Sequence, residues 1–481
     1  MAIKNIVILG GGFAGLRIAY LMNKKGYHIS LIEKSRNLGG MVQTFKHEFQ
    51  GDRYLFDFGP HLFFEDFVYE YRDLIGNDLL NLNDRFCMYT KNTILSYPLR
   101  PMEFITKMNP MLSLLYILNS IIYWSIPDFT GKTNKNLKGY MVKRFGKKLF
   151  EDFFSPYIEK CCGLSPDQIS ILWAKERENV SGTSLIKNII NKLGAQLNKE
   201  IKKRLAKFND PSTQLISSFY PKQGAGQLCD IMAATLCNQD IYLNTTIEEI
   251  NILDYSVKNI IVNKGGSRES IAGDYYISTL PLPKLFEYFN PILPHRIESA
   301  QKLLFRNIRL VNLIINKDRI LDSLEMFSMN RDHLFKRIYE PKAMSSIMAP
   351  KGKTSLSLEI CHNRDDVVSN MTKEKIINKC INDLLDIHLL DSSKDVLDSF
   401  IIEIPYAYPI YNIGFDIHRE KLLDEIFKYN NLLTSGRQGL FRYHAMTNEI
   451  MEMADEVVGF FEGDPDKNLR RKTLKWGHLF Y

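Results

Sequence analysis

The sequence lacks the marks of several common roles. Its seven cysteines, Cys87, Cys161, Cys162, Cys229, Cys237, Cys361 and Cys380, are odd in number, with no C-x-x-C and no repeated spacing to histidine. Neither a disulfide scaffold nor a zinc site is indicated, and no metal is expected. Lys and Arg number 62 against 55 Asp and Glu in 481 residues. That excess can help attract an anionic substrate, but it is no dense basic stripe, so nucleic acid is not an expected partner. The chain enters a strand within its first residues without a charged leader and cleavage site, so no secretory signal is expected. A reducing cytoplasm is the simplest location, with membrane association as the alternative. The longest apolar stretch, Met111 to Ile126, reads MLSLLYILNSIIYWSI and is ended by Pro127. It falls short of the roughly twenty residues a bilayer span needs. It reads first as a helix buried in a substrate domain; contact with a membrane surface is the less favoured reading.

What is present is a large, aromatic-rich globular chain, 45% hydrophobic and 12% aromatic, long enough for two interleaved domains. Its first forty residues organise the rest. The apolar run Ile6-Val7-Ile8-Leu9 leads into Gly10-Gly11-Gly12-Phe13-Ala14-Gly15, in the order strand, glycine turn, helix. Gly10 permits the turn, Gly12 lets a pyrophosphate approach the backbone, and Gly15 lets the helix lie close to the strand. The helix over Phe13 to Lys25 would turn its N-terminal amides towards the phosphates. A second strand, His28 to Ile32, delivers Glu33 about twenty residues beyond the glycines, where a ribose hydroxyl needs an acceptor. The expected nucleotide is an adenine dinucleotide with an unphosphorylated 2′-hydroxyl.

Arg36-Asn37-Leu38-Gly39-Gly40 and Thr44 follow directly. This run resembles the Gly-Gly signature of the flavoprotein group that includes amine oxidases, protoporphyrinogen oxidase, phytoene desaturases and UDP-galactopyranose mutase. The resemblance implies an α/β fold: a Rossmann-like FAD-binding domain of the glutathione-reductase type with an interleaved α+β substrate domain. It implies FAD as cofactor, held by Gly10, Gly12, Phe13, Ala14 and Gly15, by Glu33 and Lys34, and by Gly39, Gly40 and Met41. Met41 departs from the amine oxidases, which commonly carry a second arginine there. That argues against a simple amine oxidase.

Further along, Tyr54 to Phe64 forms an aromatic-rich strand and turn, with Gly59-Pro60 bending the chain before His61. The stretch resembles the G-x-H-x-F segment of UDP-galactopyranose mutases and their protoporphyrinogen-oxidase-like relatives. The resemblance places Gly59, Pro60 and His61 beside the flavin ring and makes His61 the catalytic candidate. Residues 66–219 read as a mainly helical substrate domain, with a hairpin over Lys91 to Leu99. It includes the basic run NKLGAQLNKEIKKRLAK over 191–207, read first as a solvated connector, with an anion-binding lid through Lys202, Lys203 and Arg204 as the alternative. Residues 220–285 return to the nucleotide domain: a glycine turn, a helix to about Cys237, a strand over Ile241 to Ile247, and a hairpin turning at Gly265-Gly266. The resemblance lays Ile247 against adenine.

Residues 286–400 read as a sheet and helices of the substrate domain, roofing a pocket. Within them Lys336 and Arg337, beside an aromatic, are a candidate clamp for a phosphorylated or carboxylated substrate, with ordinary surface charge the favoured reading for either. Residues 401–465 complete the nucleotide domain, and 466–481 form a tail. The run Gly436-Arg437-Gln438-Gly439-Leu440-Phe441-Arg442-Tyr443 resembles the mutases' G-R-x-G-x-[FY]-R-Y segment. It implies cofactor contacts from Gly436, Arg437, Tyr443 and Met446, followed by a helix over Thr447 to Phe461.

These islands identify the cofactor better than the substrate. The expected activity is an FAD-dependent oxidoreductase taking hydride from a small molecule. A flavin-dependent mutase acting on a nucleotide sugar is the alternative, and a non-catalytic flavin-binding scaffold the second. The mutase-like segments favour isomerisation; the long helical insert and the lack of a local match for a uridine pocket favour oxidation. Substrate identity, electron acceptor and oligomeric state are not legible.

Overall fold

A β-branched, continuously apolar run suits a strand covered on both faces, and Ile6, Val7, Ile8 and Leu9 are all fully buried. In the computed structural model, which describes residues 4–64, 67–82, 86–97, 99–125, 136–178, 218–443 and 447–462, this run is β1, Asn5–Leu9. It is followed by α1, Phe13–Lys24, and β2, His28–Ile32. β1 lies at the centre of a five-stranded parallel sheet in the order Asp240–Tyr242, β2, β1, Tyr275–Ser278, Leu432–Thr434. The Rossmann-like α/β domain is therefore assembled from segments far apart in sequence. The basic run 191–207, Met446 and the tail 466–481 lie outside the described residues.

α1 packs between the sheet and the helix Thr447–Glu462. Their seam holds a buried charge: Arg17, 2% exposed, donates Nη2 to Glu70 at 2.8 Å and to Asp455 at 3.0 Å. With two carboxylates the guanidinium keeps its charge inside the protein, as a buried ion must.

A second sheet has seven strands, ordered Val396–Ile410, Leu304–Ile315, Thr354–His362, Arg337–Tyr339, Glu325–Ser328, Phe86–Thr90, Thr93–Tyr97. Every residue of Thr354–His362 is buried, because both faces of the sheet are covered. The helix Lys373–Asp386 packs Ile376, Cys380 and Leu384 on one side. The hairpin Thr44–Phe49/Asp52–Asp57 brings Tyr54 and Phe56 to Ile314, while Met41 and Phe58 meet Ile308 and Leu310.

The expected hairpin around Lys91 is present, its turn made by Lys91 and Asn92 at φ 46° and 57°. Besides that hairpin, the region expected to be mainly helical supplies the strand Leu79–Leu82, which pairs with Ser218–Pro221, and Phe86–Thr90 of the hairpin pairs with the distant strand Glu325–Ser328. The boundary expected at 400 falls inside the strand Val396–Ile410. The strand expected over Ile241 to Ile247 is two: Asp240–Tyr242 ends the parallel sheet and Thr245–Leu253 begins an antiparallel one. Asn244, at φ 51°, turns the corner. The apolar helix is present as Pro110–Ser125, but Met111, Leu114, Leu115, Leu118, Ile121 and Ile122 are exposed rather than buried.

The glycines of the first turn set how closely α1 approaches β1. A Cβ on Gly15 would lie 1.9 Å from Gly10 O, whereas one on Gly26, at φ 81°, would meet nothing within 4 Å. Gly15→Ala is expected to cost about 3 kcal/mol or more through backbone overlap, and Gly26→Ala about 1 kcal/mol through left-handed strain alone. Thermal unfolding of the two variants side by side checks this; equal losses would refute the steric account.

Candidate functional site

The site is built where two glycine segments cross. Gly39 N donates to Gly11 O at 2.8 Å, Gly12 and Gly39 form an isolated parallel bridge, and a Cβ on Gly40 would lie 2.8 Å from Gly12 Cα. A Cβ on Gly12 would meet nothing nearer than Gly40 Cα at 4.0 Å, so space opens over this turn. α1 begins there with no side chain capping its N-terminus. Its first amides and positive dipole end are thus available to an anion. Phe13 and Ala14 are buried in the core, which leaves their backbone for a ligand.

Glu33 sits at the end of β2 with both oxygens held. Oε2 accepts from Gly11 N at 2.8 Å, and Oε1 accepts from Ser35 N and Ser35 Oγ, each at 2.8 Å. An ionised carboxylate offers about four acceptor positions, so capacity remains for ribose hydroxyls. Glu33 N donates to Tyr242 O and Thr245 N to Glu33 O, which brings the strand bearing Ile247 to this end of the site. Lys34 is exposed.

The C-terminal segment closes over the turn. Gly436, at φ 80°, passes so near α1 that a Cβ would lie 2.7 Å from Ala14 Cβ. Arg437 places its guanidinium 5.4 Å from the centre of the Tyr408 ring. Next to it, Gln438 Nε2 lies 3.8 Å from Met41 Sδ. Tyr443 is buried, its ring 5.5 Å from those of both Tyr408 and Trp173. The neighbouring Arg442 is turned away: its Nε lies 3.3 Å from Glu176, whose other oxygen accepts from Tyr411 OH at 2.9 Å. Tyr411 OH in turn accepts from Tyr443 N at 2.9 Å.

His61 follows the strand Asp52–Asp57 and is half-buried. Its Nδ1 lies 2.8 Å from Gly59 O. A carbonyl only accepts, so Nδ1 carries the proton and Nε2 keeps its lone pair. Burial, reinforced by the Arg437 guanidinium, pushes the imidazole down to about 4, so His61 is neutral at physiological pH. The turn is stitched to the helix Thr447–Glu462: Thr447 Oγ1 donates to Leu62 O at 2.7 Å, and Asn448 Oδ1 accepts from Tyr71 OH at 3.0 Å.

Asp57, two residues before Gly59, is the group that sequence reasoning missed. It is fully buried and accepts from Thr44 Oγ1 at 2.7 Å, from Ala225 N at 3.2 Å and from Tyr220 OH. Its backbone carbonyl accepts from Tyr339 OH at 2.6 Å. Burial pushes its carboxyl up to about 6 despite those donors. One residue so ties the flavin-side turn expected at Gly59-Pro60 to the Gly224–Gly226 turn and to the seven-stranded sheet. The only signal was an acidic residue in the aromatic run Tyr-Leu-Phe-Asp-Phe.

Lys336 and Arg337, the candidate substrate clamp, are neither surface charges nor open to an anion: Lys336 is buried and both are paired with carboxylates. Lys336 Nζ lies 3.0 Å from Glu359 Oε1 and 4.3 Å from the Tyr408 ring centre. Arg337 donates to Glu359 Oε2 at 2.7 Å and to Glu325 at 3.0 Å. Burial raises a carboxylate, but Arg337 and Lys336 outweigh it and hold Glu359 down to about 2. Sequence spacing showed the cations but not the acidic partners, which lie on neighbouring strands. Among the described residues no group of His, Cys, Asp and Glu could hold a metal ion.

Comparison with known proteins agrees with this geometry. Residues 8–73 match the family model of the NAD(P)-binding Rossmann-like domain. The chain is 27% identical over 201 residues to an L-amino acid oxidase of Cerastes cerastes, a match covering 34% of this chain and 37% of that protein. The alignment thus spans little more than a third of that relative's length. Among solved structures, reduced UDP-galactopyranose mutase superposes with a TM-score of 0.79 at 18% identity, covering 99% of each chain. A protein of Exiguobacterium named after protoporphyrinogen oxidase superposes at 0.71 with 16% identity, covering 96% of this chain and 99% of its own. The chain has the fold of these proteins, as its motifs led one to expect, and its first residues belong to a Rossmann-like dinucleotide-binding domain.

Two outcomes follow from the geometry. Arg437→Ala should lower dinucleotide retention about tenfold or more through loss of a charge-assisted contact, read as the dissociation constant for added FAD; unchanged retention would refute the contact. His61 has a folded pKa of about 4, below the ordinary 6.5. Its contribution to stability is therefore complete above pH 6.5 and is lost as pH falls towards 4. The stability of the parent minus that of His61→Gln should decline across that window. Taking the difference removes Asp57, whose carboxyl is shifted the opposite way. A flat difference would overturn the assignment.

Proposed function

We propose that the chain is an FAD-dependent oxidoreductase that removes hydride from a carbon of a small-molecule substrate. FAD is favoured over other dinucleotides by the second glycine pair, Gly39 and Gly40, lying on the first turn, and by Arg437 beside the same space. The observation that carries oxidation over sugar-nucleotide isomerisation is the pairing of the roof cations. Lys336 and Arg337 are neutralised by Glu359 and Glu325, and Arg306 by Asp366 and two carbonyls. Arg309 is matched by Glu403 and Arg331 by Glu159. A nucleotide diphosphate in the substrate space would need cations not already committed to carboxylates.

When bound, FAD supplies the hydride acceptor at N5. The chain's own residues do the rest. The glycine crossing and α1 would hold the diphosphate and Glu33 the ribose, and the seven-stranded sheet, whose Arg337 and Glu359 act on His61, would help exclude water there. His61, neutral and fixed in one tautomer, presents Nε2 as acceptor to an N–H or O–H of the substrate. It takes that proton as the adjacent carbon loses hydride.

A second reading, the redox-neutral mutase, is supported by the 0.79 superposition with UDP-galactopyranose mutase over nearly the whole chain. Anaerobic mixing separates the two. With FAD-loaded protein and a panel of L-amino acids and primary amines, the oxidoreductase reading expects bleaching of the flavin spectrum by substrate alone. His61→Ala should slow that bleaching about a hundredfold while FAD stays bound. Conversion of UDP-galactopyranose only after dithionite reduction, with no net electron use, would replace this reading by the mutase.

A further inference from the structure

Tyr408 stands where the seven-stranded sheet meets the segment bearing Arg437. It lies on the strand Val396–Ile410 and is half-buried. Two cations bear on its ring: Lys336 Nζ is 4.3 Å and the Arg437 guanidinium 5.4 Å from the ring centre, both close enough for attraction to an aromatic face. The ring is not free to swing, because its hydroxyl donates to Glu359 Oε1 at 3.2 Å. Burial, and after it the Glu359 carboxylate, raises that hydroxyl above its ordinary range, so it stays protonated and remains the donor. The Tyr443 ring lies 5.5 Å away, tilted by 31°. Glu359 sits on Thr354–His362, every residue of which is buried, and is fixed there by Lys336 and Arg337.

How a cation is held decides what it can still do. Lys336 and Arg337 are met by carboxylates, which cancel their charge. An aromatic face attracts a guanidinium through the quadrupole of the ring. It neither cancels the charge nor takes up the N–H donors along the edge of the group. A long side chain loses rotamer freedom when it grips an anion, and restricting it beforehand lowers that cost. Arg437 follows Gly436, whose main chain passes so close to α1 that a Cβ would lie 2.7 Å from Ala14 Cβ. The guanidinium resting on Tyr408 therefore belongs to the segment laid over the first turn of α1.

From this we infer that Tyr408 is a positioning residue for the dinucleotide: its ring, tied to the sheet through Glu359, holds the Arg437 guanidinium in place for the diphosphate before the cofactor arrives. The inference rests on the reading of the glycine crossing as an FAD site.

FAD titration of the full chain, stripped of flavin, tests it through a double-mutant cycle. Tyr408→Leu should raise the dissociation constant about fivefold, and Arg437→Ala about tenfold. Acting through one contact, the two together should cost no more than Arg437→Ala alone, whereas independent effects would multiply to about fiftyfold. Tyr408→Phe keeps the ring and should stay within about twofold of the parent, and Arg437→Ala in that background should again cost about tenfold. If Tyr408→Leu does not fold, Tyr408→Met, flexible and likewise without a ring, takes its place. A multiplicative double variant, a ringless variant that binds FAD like the parent, or a Tyr408→Phe variant as weak as the ringless one would overturn this inference alone. A parent that takes up no FAD would overturn the FAD reading and this inference with it.

Discussion

Two stretches of backbone cross at Gly12 and Gly40 with no room for a side chain on Gly40, and the rest of the site is placed from that crossing. It presses the segment after β2 onto the start of α1, so that Glu33 can reach back to Gly11. It also leaves the first turn of α1 bare, facing open space. Gly436 then approaches Ala14 from the far end of the chain, and Arg437 arrives beside the same space. A close approach of main chains is a steric condition, met or failed outright, and electrostatic contacts are built on it afterwards.

The parts of the protein legible in its sequence are those whose cause is local. The glycine turn, β2 ending at Glu33, the hairpin at Gly265-Gly266 and the helix from Thr447 each announce themselves through residues a few positions apart. Those that escaped depend on partners distant in the chain. Asp57 looks like one acid in an aromatic strand, and its role comes from Thr44, Tyr220, Ala225 and Tyr339. Lys336 and Arg337 resembled an anion clamp because Glu359 and Glu325 lie on other strands of the sheet. The helix Pro110–Ser125 reads as buried because sixteen apolar-rich residues usually are. Its inward polar side emerges only when Phe145, Lys148 and Asp152 are seen beside it.

Charge is treated differently in the two layers. In the nucleotide layer, buried ionic groups sit at junctions: Arg17 joins α1 to two other helices, and Arg442 with Glu176 and Tyr411 backs the segment after Gly436. In the sheet above, cations and carboxylates alternate between strands and cancel, so the wall facing His61 is polar without a strong excess of either sign. A neutral imidazole suits such a wall, since burial, reinforced by Arg437, opposes its protonation.

The central parallel sheet also constrains how the molecule comes into being. β1 and β2 leave the ribosome early, yet their sheet ends with Leu432–Thr434, some four hundred residues on. At ordinary rates of synthesis that interval lasts roughly 20–85 s. Throughout it, one long side of the apolar strand Tyr275–Ser278, or earlier of β1 itself, has no neighbour. Until Leu432–Thr434 is made, the nascent polypeptide carries an unpaired apolar edge, a template for pairing with other chains, and a product cut short before that strand would keep it open.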